Sequence, residues 1–242
     1  MMVIDELARR RWAPVQIAWS AIILAGGQSG RLGHDKALLI GPDGRSTLER
    51  TIDACGSALQ CVVVGPERNG VVAPNLVWTR ESPAFTGPAR GIAAGVKALA
   101  VDSDWVVVLG CDMPGVGVGV EQLLKAAEGF DRSFADCDGL VGRADGQRQW
   151  LCGIYRTPSL KRACAQLAPA GSGEPVHRLL SGFDVIALEL EPAVVRDIDT
   201  AADMNDLGFR PGLPSHEVPV VHTKYRPARG LRLSGRRLVS PA

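Results

Sequence analysis

The chain has 242 residues and 25.6 kDa, with 27 basic and 26 acidic side chains and a formal net charge of +1. With 46% hydrophobic and 22% charged residues it falls in the ordinary globular range, which excludes collagen-like, coiled-coil and wholly disordered chains. The length suits one large α/β domain or two small ones, and near-neutrality argues against a surface that binds polyanions as a whole.

In chain order, Arg9, Arg10 and Arg11 precede a mostly apolar stretch from Trp12 to Gly27 that imitates a signal peptide. Asp5 and Glu6 in the basic region, Pro14 and Gln16 within the run, and the lack of a small-x-small cleavage pattern oppose that reading. Residues 1–17 are read as an N-terminal extension. No window reaches the roughly 18 uninterrupted apolar residues of a membrane span, so no membrane partner is expected. Trp19–Ala25 (WSAIILA) is an apolar run of strand length.

The glycine-rich segment Leu24–Leu39 (LAGGQSGRLGHDKALL) follows that strand directly. In an open parallel sheet, ligands bind at the carboxyl ends of strands, so a site belongs here. Gly26, Gly27, Gly30 and Gly33 let the backbone approach a ligand and turn its N–H groups inward, as a phosphate needs. Arg31 and Lys36 add positive charge for the same phosphates. The spacing fits neither Gly-x-Gly-x-x-Gly nor a Walker loop. Ser29, between Gln28 and Gly30, does not make a Gly-x-Ser-x-Gly nucleophile elbow.

Beyond the loop, Ser46–Leu59 is predicted as a helix with a capping box from Ser46 and Glu49. Gln60–Val64 and Leu76–Thr79 are strand-like, Pro88–Ala100 helical with Pro88 in the first turn, and Trp105–Leu109 a second fully apolar strand. Apolar strands without alternation, joined by helices, indicate a parallel sheet covered on both faces. Asp112 stands in WVVVLGCDMP, right after a buried strand and hence at the same edge as the glycine loop. Nucleoside triphosphate chemistry needs Mg²⁺, held by one or two carboxylates plus phosphate oxygens, and Asp112 is the expected ligand. The second half is less regular. Gly139–Val141, Leu151–Tyr155 and Val185–Leu190 are strand-like, whereas Pro158–Leu167, Pro175–Leu180 and Thr200–Leu207 are helical. The expected fold is α/β: a single doubly wound, mostly parallel, Rossmann-like sheet over residues 18–207, with a small β-rich lobe.

Residues 208–242 hold seven basic side chains and Glu217 as their one acid, which leaves residues 1–207 at a net charge of −5. Without a sustained period, this proline-rich tail is expected to be poorly ordered. It is either a solvated extension or a contact arm for an anionic partner. The six cysteines have neither zinc nor Cys-x-x-Cys spacing and suit a reducing, cytoplasmic compartment.

The stretch LAGGQSGRLGHDK resembles the signature loop of nucleotidyltransferases akin to the molybdenum cofactor guanylyltransferase, Leu-Ala-Gly-Gly-x-Ser-x-Arg-Met-Gly-x-Asp-Lys, with Leu32 in the Met place. The resemblance covers about residues 18–207 and supplies the nucleotidyltransferase form of the fold, in which the β-rich lobe faces the acceptor. It implies that Leu24, Ala25 and Gly26 contact a guanine nucleotide and that Arg31 and Lys36 meet its phosphates. Gly27, where related cytidylyltransferases have Ala, and Cys111 before Asp112 place the sequence on the guanine side. Asp112 matches the family's Asp-x-Pro. In VRDIDTAADMNDL, Asp199 matches a second metal-side group, with Asp197 the weaker choice and a plain helix-terminus role the alternative. FTGPARGIAAG resembles a helix start beside the nucleotide. Just before it, Ser82 occupies the usual acid place, where Glu81 is a substitute by a register shift. Gln147–Leu151 resembles an acceptor-side loop in which Arg148 and Gln149 meet a pterin phosphate, with Trp150 open to plain core packing.

The implied reaction transfers GMP from GTP to the terminal phosphate of molybdopterin or Mo-molybdopterin, with Mg²⁺ as cofactor and pyrophosphate as product. Arg31, Lys36 and Asp112 are the implied catalytic residues. A molybdenum-insertion protein or an apo-molybdoenzyme is a further implied partner, and no nucleic acid is. The alternatives are a cytidylyl- or sugar-phosphate nucleotidyltransferase and a GTP-binding regulator without turnover.

Overall fold

A computed structural model of the protein describes residues 17–27, 32–129, 137–167 and 173–212. Residues 1–16, the Gln28–Arg31 part of the glycine loop and the tail beyond Gly212 lie outside the described residues, and with them the expectations for Arg31 and for most of both extensions.

Seven strands form one sheet: β1 (Trp19–Leu24), β2 (Cys61–Val64), β3 (Leu76–Thr79), β4 (Trp105–Gly110), β5 (Gly139–Ala144), β6 (Gln147–Arg156) and β7 (Val185–Glu189). Their spatial order is β3-β2-β1-β4-β6-β5-β7. Every pairing is parallel except those of β6, which runs antiparallel to both β4 and β5. The strands expected as a β-rich lobe, β5, β6 and β7, are thus part of the same sheet. β1 is central because its apolar run can be buried on both faces: Ile22 and Ile23, which point to opposite sides, are both fully enclosed.

The helices are α1 (Thr47–Ala54), α2 (Pro88–Ala98), α3 (Val116–Gly129), α4 (Thr157–Ala165), α5 (Val176–Leu180) and α6 (Ala201–Asp206). On one face Ile23, Val63, Val107 and Leu109 pack under Leu48 and Ile52 of α1 and Val120 and Leu123 of α3. On the other, Ile22, Val62, Val64, Val106 and Val108 pack under Ala89 and Ile92 of α2 and Leu160 of α4. Helix α2 can lie this close because Gly95 faces β1. A Cβ there would stand 2.6 Å from Ile22 Cγ2.

Local signals explain most boundaries. The capping box at α1 forms as expected: Glu49 N–H donates to Ser46 Oγ (3.1 Å) and Ser46 N–H to Glu49 Oε2 (2.8 Å), an arrangement that contributes about 1 kcal/mol. The helix stops at Ala54 rather than Leu59, because Gly56 and Ser57 follow. Helix α3 was not expected, since Gly115, Gly117 and Gly119 break the apolar period. Gly119 is there for packing: a Cβ would meet Cys152 Sγ at 2.9 Å. Gln147–Leu151 belongs to strand β6, not a loop. The Asp145-Gly146 turn, both residues at positive φ, joins it to β5 as a hairpin.

The folded body also runs past residue 207. Phe209 packs with Leu32, Leu39 and Ile198 in a small third core. Ile40 and Arg210 exchange backbone hydrogen bonds of 2.8 and 3.0 Å. This clasp ties the chain after the glycine loop to the segment carrying Asp199. Residues 208–212, read with the tail, therefore belong to the body.

Candidate active site

The sheet order reverses at β1, which has β2 on one side and β4 on the other. Crevices form at such switch points, at the carboxyl ends of the strands. Here the crevice is a cleft of about 520 Å³. Its floor is Leu24–Gly27 from the end of β1 and Gly110–Asp112 from the end of β4, while Lys36, Asp199, Glu81 and Leu151 stand around it.

Three chain segments meet at one end of this cleft. The first is a 3-10 turn, Lys36–Leu38, capped by Asp35, whose Oδ1 accepts from Ala37 N–H at 3.0 Å. The second is the end of β4. Cys111 N–H donates to the Leu24 carbonyl at 3.2 Å, so Asp112 emerges beside the glycine loop. The third is the chain before α6, held by Ile198 N–H donating to the Asp112 carbonyl at 3.0 Å. Thr200 takes the N-cap of α6 and forms a capping box with Asp203. That leaves the Asp199 side chain directed to the cleft rather than to the helix.

The charges then converge. Lys36 Nζ lies 2.9 Å from Asp112 Oδ2 and is also hydrogen-bonded to Asp199 Oδ1. Partial burial works against the ammonium, but its hydrogen bond to Asp199 and the field of Asp112 with the hydrogen bond to it outweigh that, so the Lys36 pKa lies above that of an ordinary lysine. Asp197 is not on the cleft lining. Desolvation, together with the Asp112 and Asp199 carboxylates nearby, pushes it up to about 7. Burial and the adjoining Asp112 push the Cys111 thiol well up, so it stays neutral.

Leu24, Ala25, Gly26, Gly27, Lys36, Asp112 and Asp199, separate in sequence, therefore line one cleft. Ser82 does not. It is exposed and off the lining, and Glu81 stands there instead, its Oε1 accepting from Phe85 N–H at 2.9 Å. Arg148 and Gln149 lie outside the lining too, on the β5–β6 hairpin, where Arg148 stacks over Trp150 at 5.5 Å. Leu151 is the part of that stretch that reaches the cleft. Sequence reasoning missed Arg68, which is buried against the loop. Its signal was its place just after β2, at the same carboxyl edge as the loop.

Two carboxylates that share one cation are a donor set suited to Mg²⁺, which takes oxygen ligands and retains positions for phosphate. Among the described residues no group of three or more His, Cys, Asp and Glu side chains comes together to hold a metal. Asp112 and Asp199 are the two carboxylates that meet at Lys36. All six cysteines are free thiols. Among the described residues no helix is long and apolar enough to cross a membrane.

A doubly wound sheet with a glycine-rich loop and acids at its switch point is the framework of a nucleotidyltransferase, and known structures share it. Molybdopterin-guanine dinucleotide biosynthesis protein A from Archaeoglobus fulgidus superposes with a TM-score of 0.58 at 20% identity, over 78% of this chain and 96% of that one. The 4-diphosphocytidyl-2C-methyl-D-erythritol synthase of Anaerococcus prevotii gives a TM-score of 0.57 at 14% identity, over 81% and 96%. Residues 21–184 match the MobA-like NTP transferase domain, and the chain belongs to that family. The chain is 34% identical over 190 residues to the probable molybdenum cofactor guanylyltransferase of Nostoc sp., covering 76% of this chain and 88% of that one. It is 29% identical over 201 residues to the Mycobacterium marinum protein of the same description, covering 81% and 96%. The protein is an enzyme that transfers nucleotidyl groups.

Proposed function

We propose that the enzyme transfers GMP from GTP to the terminal phosphate of molybdopterin, with or without its metal, and releases pyrophosphate. The observation that supports this most is the convergence of Lys36, Asp112 and Asp199 beside a cleft floored by the glycine loop. The names of its relatives supply the substrates.

An oxygen of the terminal pterin phosphate attacks the α-phosphorus of GTP in line. The bond from that phosphorus to the α–β bridging oxygen breaks, and pyrophosphate carries the electrons away. Such a transfer depends on positioning and charge neutralisation more than on a covalent nucleophile. The Leu24–Gly27 backbone lies against the nucleotide. Lys36, on a turn fixed by Asp35, passes its ammonium from the two aspartates to phosphate oxygens. Arg31 adds a second positive charge in the same loop. Asp112 and Asp199 would hold Mg²⁺, which when bound would neutralise phosphate charge. Glu81, on the cleft lining, is the acid that would accept from the N1–H and 2-amino donors of guanine, groups that cytosine does not present together.

Pyrophosphate release is measured with each of the four nucleoside triphosphates and authentic molybdopterin. The expected outcome is release with GTP, and Lys36→Ala and Asp112→Ala each lowering turnover at least about a hundredfold, the scale of losing one preorganised charge contact, while circular dichroism stays native. Release with CTP instead would favour a cytidylyltransferase. Tight GTP binding without release would favour a regulator, and wild-type turnover in either variant would refute the residue roles.

A further inference from the structure

We infer that Arg68 is a positioning residue for this site: a buried clasp that closes the neck of the glycine-rich loop. The inference rests on the nucleotide reading above and adds to it a residue whose side chain is absent from the main cleft.

Arg68 lies on the loop after β2, with a side chain only 3% exposed. Its Nη2 donates to the Ala25 carbonyl at 2.8 Å, and its Nε and Nη2 donate to the two oxygens of Asp35 at 3.0 Å each. Its Nη1 donates to the Pro66 carbonyl at 3.1 Å, which fixes the guanidinium to its own loop. Ala25 is where the chain leaves β1, and Asp35 immediately precedes Lys36. The loop therefore begins and ends on a single side chain. The connection continues inward: the Asp35 carboxylate also caps the turn that carries Lys36, through Ala37 N–H.

The chemistry selects arginine. A guanidinium is planar, permanently charged and has five donors in a fixed fork, so it can hold a carbonyl on one side and both carboxylate oxygens on the other. A lysine ammonium at the same place is a point charge and cannot span the three acceptors. A buried arginine is costly unless fully paired. Here its pairing is made wholly with the two ends of the loop and with Pro66. The bond to the Ala25 carbonyl is enclosed, whereas the Asp35 carboxylate is 39% exposed and solvent screens the ion pair in part, so the constraint rests on the geometry of the fork more than on charge. The distance from the β1 end to the Lys36 turn is thereby set before any nucleotide arrives, the preorganisation that transfer chemistry requires.

The test uses two mild variants, because Arg68→Ala would empty a buried position and leave the enclosed Ala25 carbonyl without its donor, and is liable to unfold. Arg68→Lys keeps the charge without the fork. Asp35→Asn keeps the size and the cap acceptor without the ion pair. Both are checked for native circular dichroism and assayed well below their unfolding midpoints, by calorimetric binding of Mg·GTP. Each is expected to raise Kd by at least about tenfold, the equivalent of one misplaced phosphate contact. The double variant should bind about as weakly as the worse single, because the two residues act through one contact. A purely structural role lowers the midpoint and leaves Kd unmoved, so Kd within twofold of wild type in either variant overturns the inference. Should the wild-type enzyme bind none of the four nucleoside triphosphates, the nucleotide reading fails, and hydrogen exchange of the Ala37 amide in the ligand-free protein decides the clasp alone. Lost protection in Arg68→Lys supports it and unchanged protection overturns it.

Discussion

Lys36 bridges the two carboxylates proposed to hold the metal, and Lys36→Met makes this measurable. The ammonium bridges Asp112 and Asp199, with side-chain exposures of 19% for the lysine and 26% and 51% for the acids. Two unit charges about 4 Å apart interact by about 4 kcal/mol at an effective dielectric of about 20, whereas exposed pairs contribute only about 0.2–1 kcal/mol. With one acid half-exposed, about 1 kcal/mol per pair is the sensible scale, or ~2 kcal/mol for both. A divalent ion entering the wild-type site must displace these contacts or lie beside the ammonium. Methionine keeps the stem and removes the charge, so the variant should bind free Mn²⁺ about 10- to 30-fold more tightly, at 1.4 kcal/mol per factor of ten. The assay is Mn²⁺ titration followed by electron paramagnetic resonance, without nucleotide. Asp112→Asn and Asp199→Asn should lose that binding. Nucleotide binding should move oppositely, because Lys36→Met gives up a phosphate contact. Manganese affinity that is unchanged or weaker in Lys36→Met would refute the reasoning.

Two further outcomes follow from single contacts. Hydrogen bonds from Thr200 and then Arg196 hold the Asp203 carboxyl down to about 2, against an ordinary 3.8. A depressed carboxyl stabilises the fold above the unfolded pKa and stops doing so as pH falls through the folded one. Asp203→Asn should therefore lower Tm at neutral pH, with the gap to wild type closing between about pH 4 and pH 2 in thermal melts; a gap independent of pH would contradict it. Gly119→Val places a branched side chain against Cys152 and Val194, whose atoms stand 2.9 and 3.1 Å from the new Cβ. Overpacking of this kind costs about 1–3 kcal/mol, and an unchanged urea midpoint would refute the packing role.

How much was legible depended on whether the signal lay in one segment. The strands around β1 and β4 were readable, because full burial leaves an uninterrupted apolar run. The α1 cap was readable because Ser46 and Glu49 carry their own geometry. Helix α3 was obscured by glycines that exist for contact with β6 and the segment around Val194, a tertiary reason that local propensity does not contain. In the site, Lys36 was visible as a cation of the glycine-rich loop and Asp112 as an acid right after a buried strand. Their pairing with Asp199 arises because Ile198 N–H hooks onto the Asp112 carbonyl across a long sequence separation. The resemblance put Ser82 in the usual acid place, with Glu81 as a substitute by a register shift. The folded loop puts Glu81 on the cleft and leaves Ser82 in solvent, and a one-residue difference in an irregular segment has no periodicity to reveal it. Arg68 was missed because a buried arginine looks like a surface one until its partners are in place.

The mutual pairing of Lys36 with Asp112 and Asp199 also bears on selectivity. A cleft presenting an unpaired lysine would attract any phosphate, and one presenting two unpaired carboxylates would attract any divalent cation. Quenched against each other, each group gains little from a lone ligand, since binding it leaves the opposite charge partly buried without a partner. A metal–triphosphate complex satisfies both at once, with cation to the carboxylates and anion to the ammonium. Binding is then expected to be weak for either component and strong for the pair, which disfavours the separate ions. On the proposed reading, the body of the chain, net negative over residues 1–207, would accept a polyanionic substrate because neutralisation is local and would be supplied partly by the substrate's own metal.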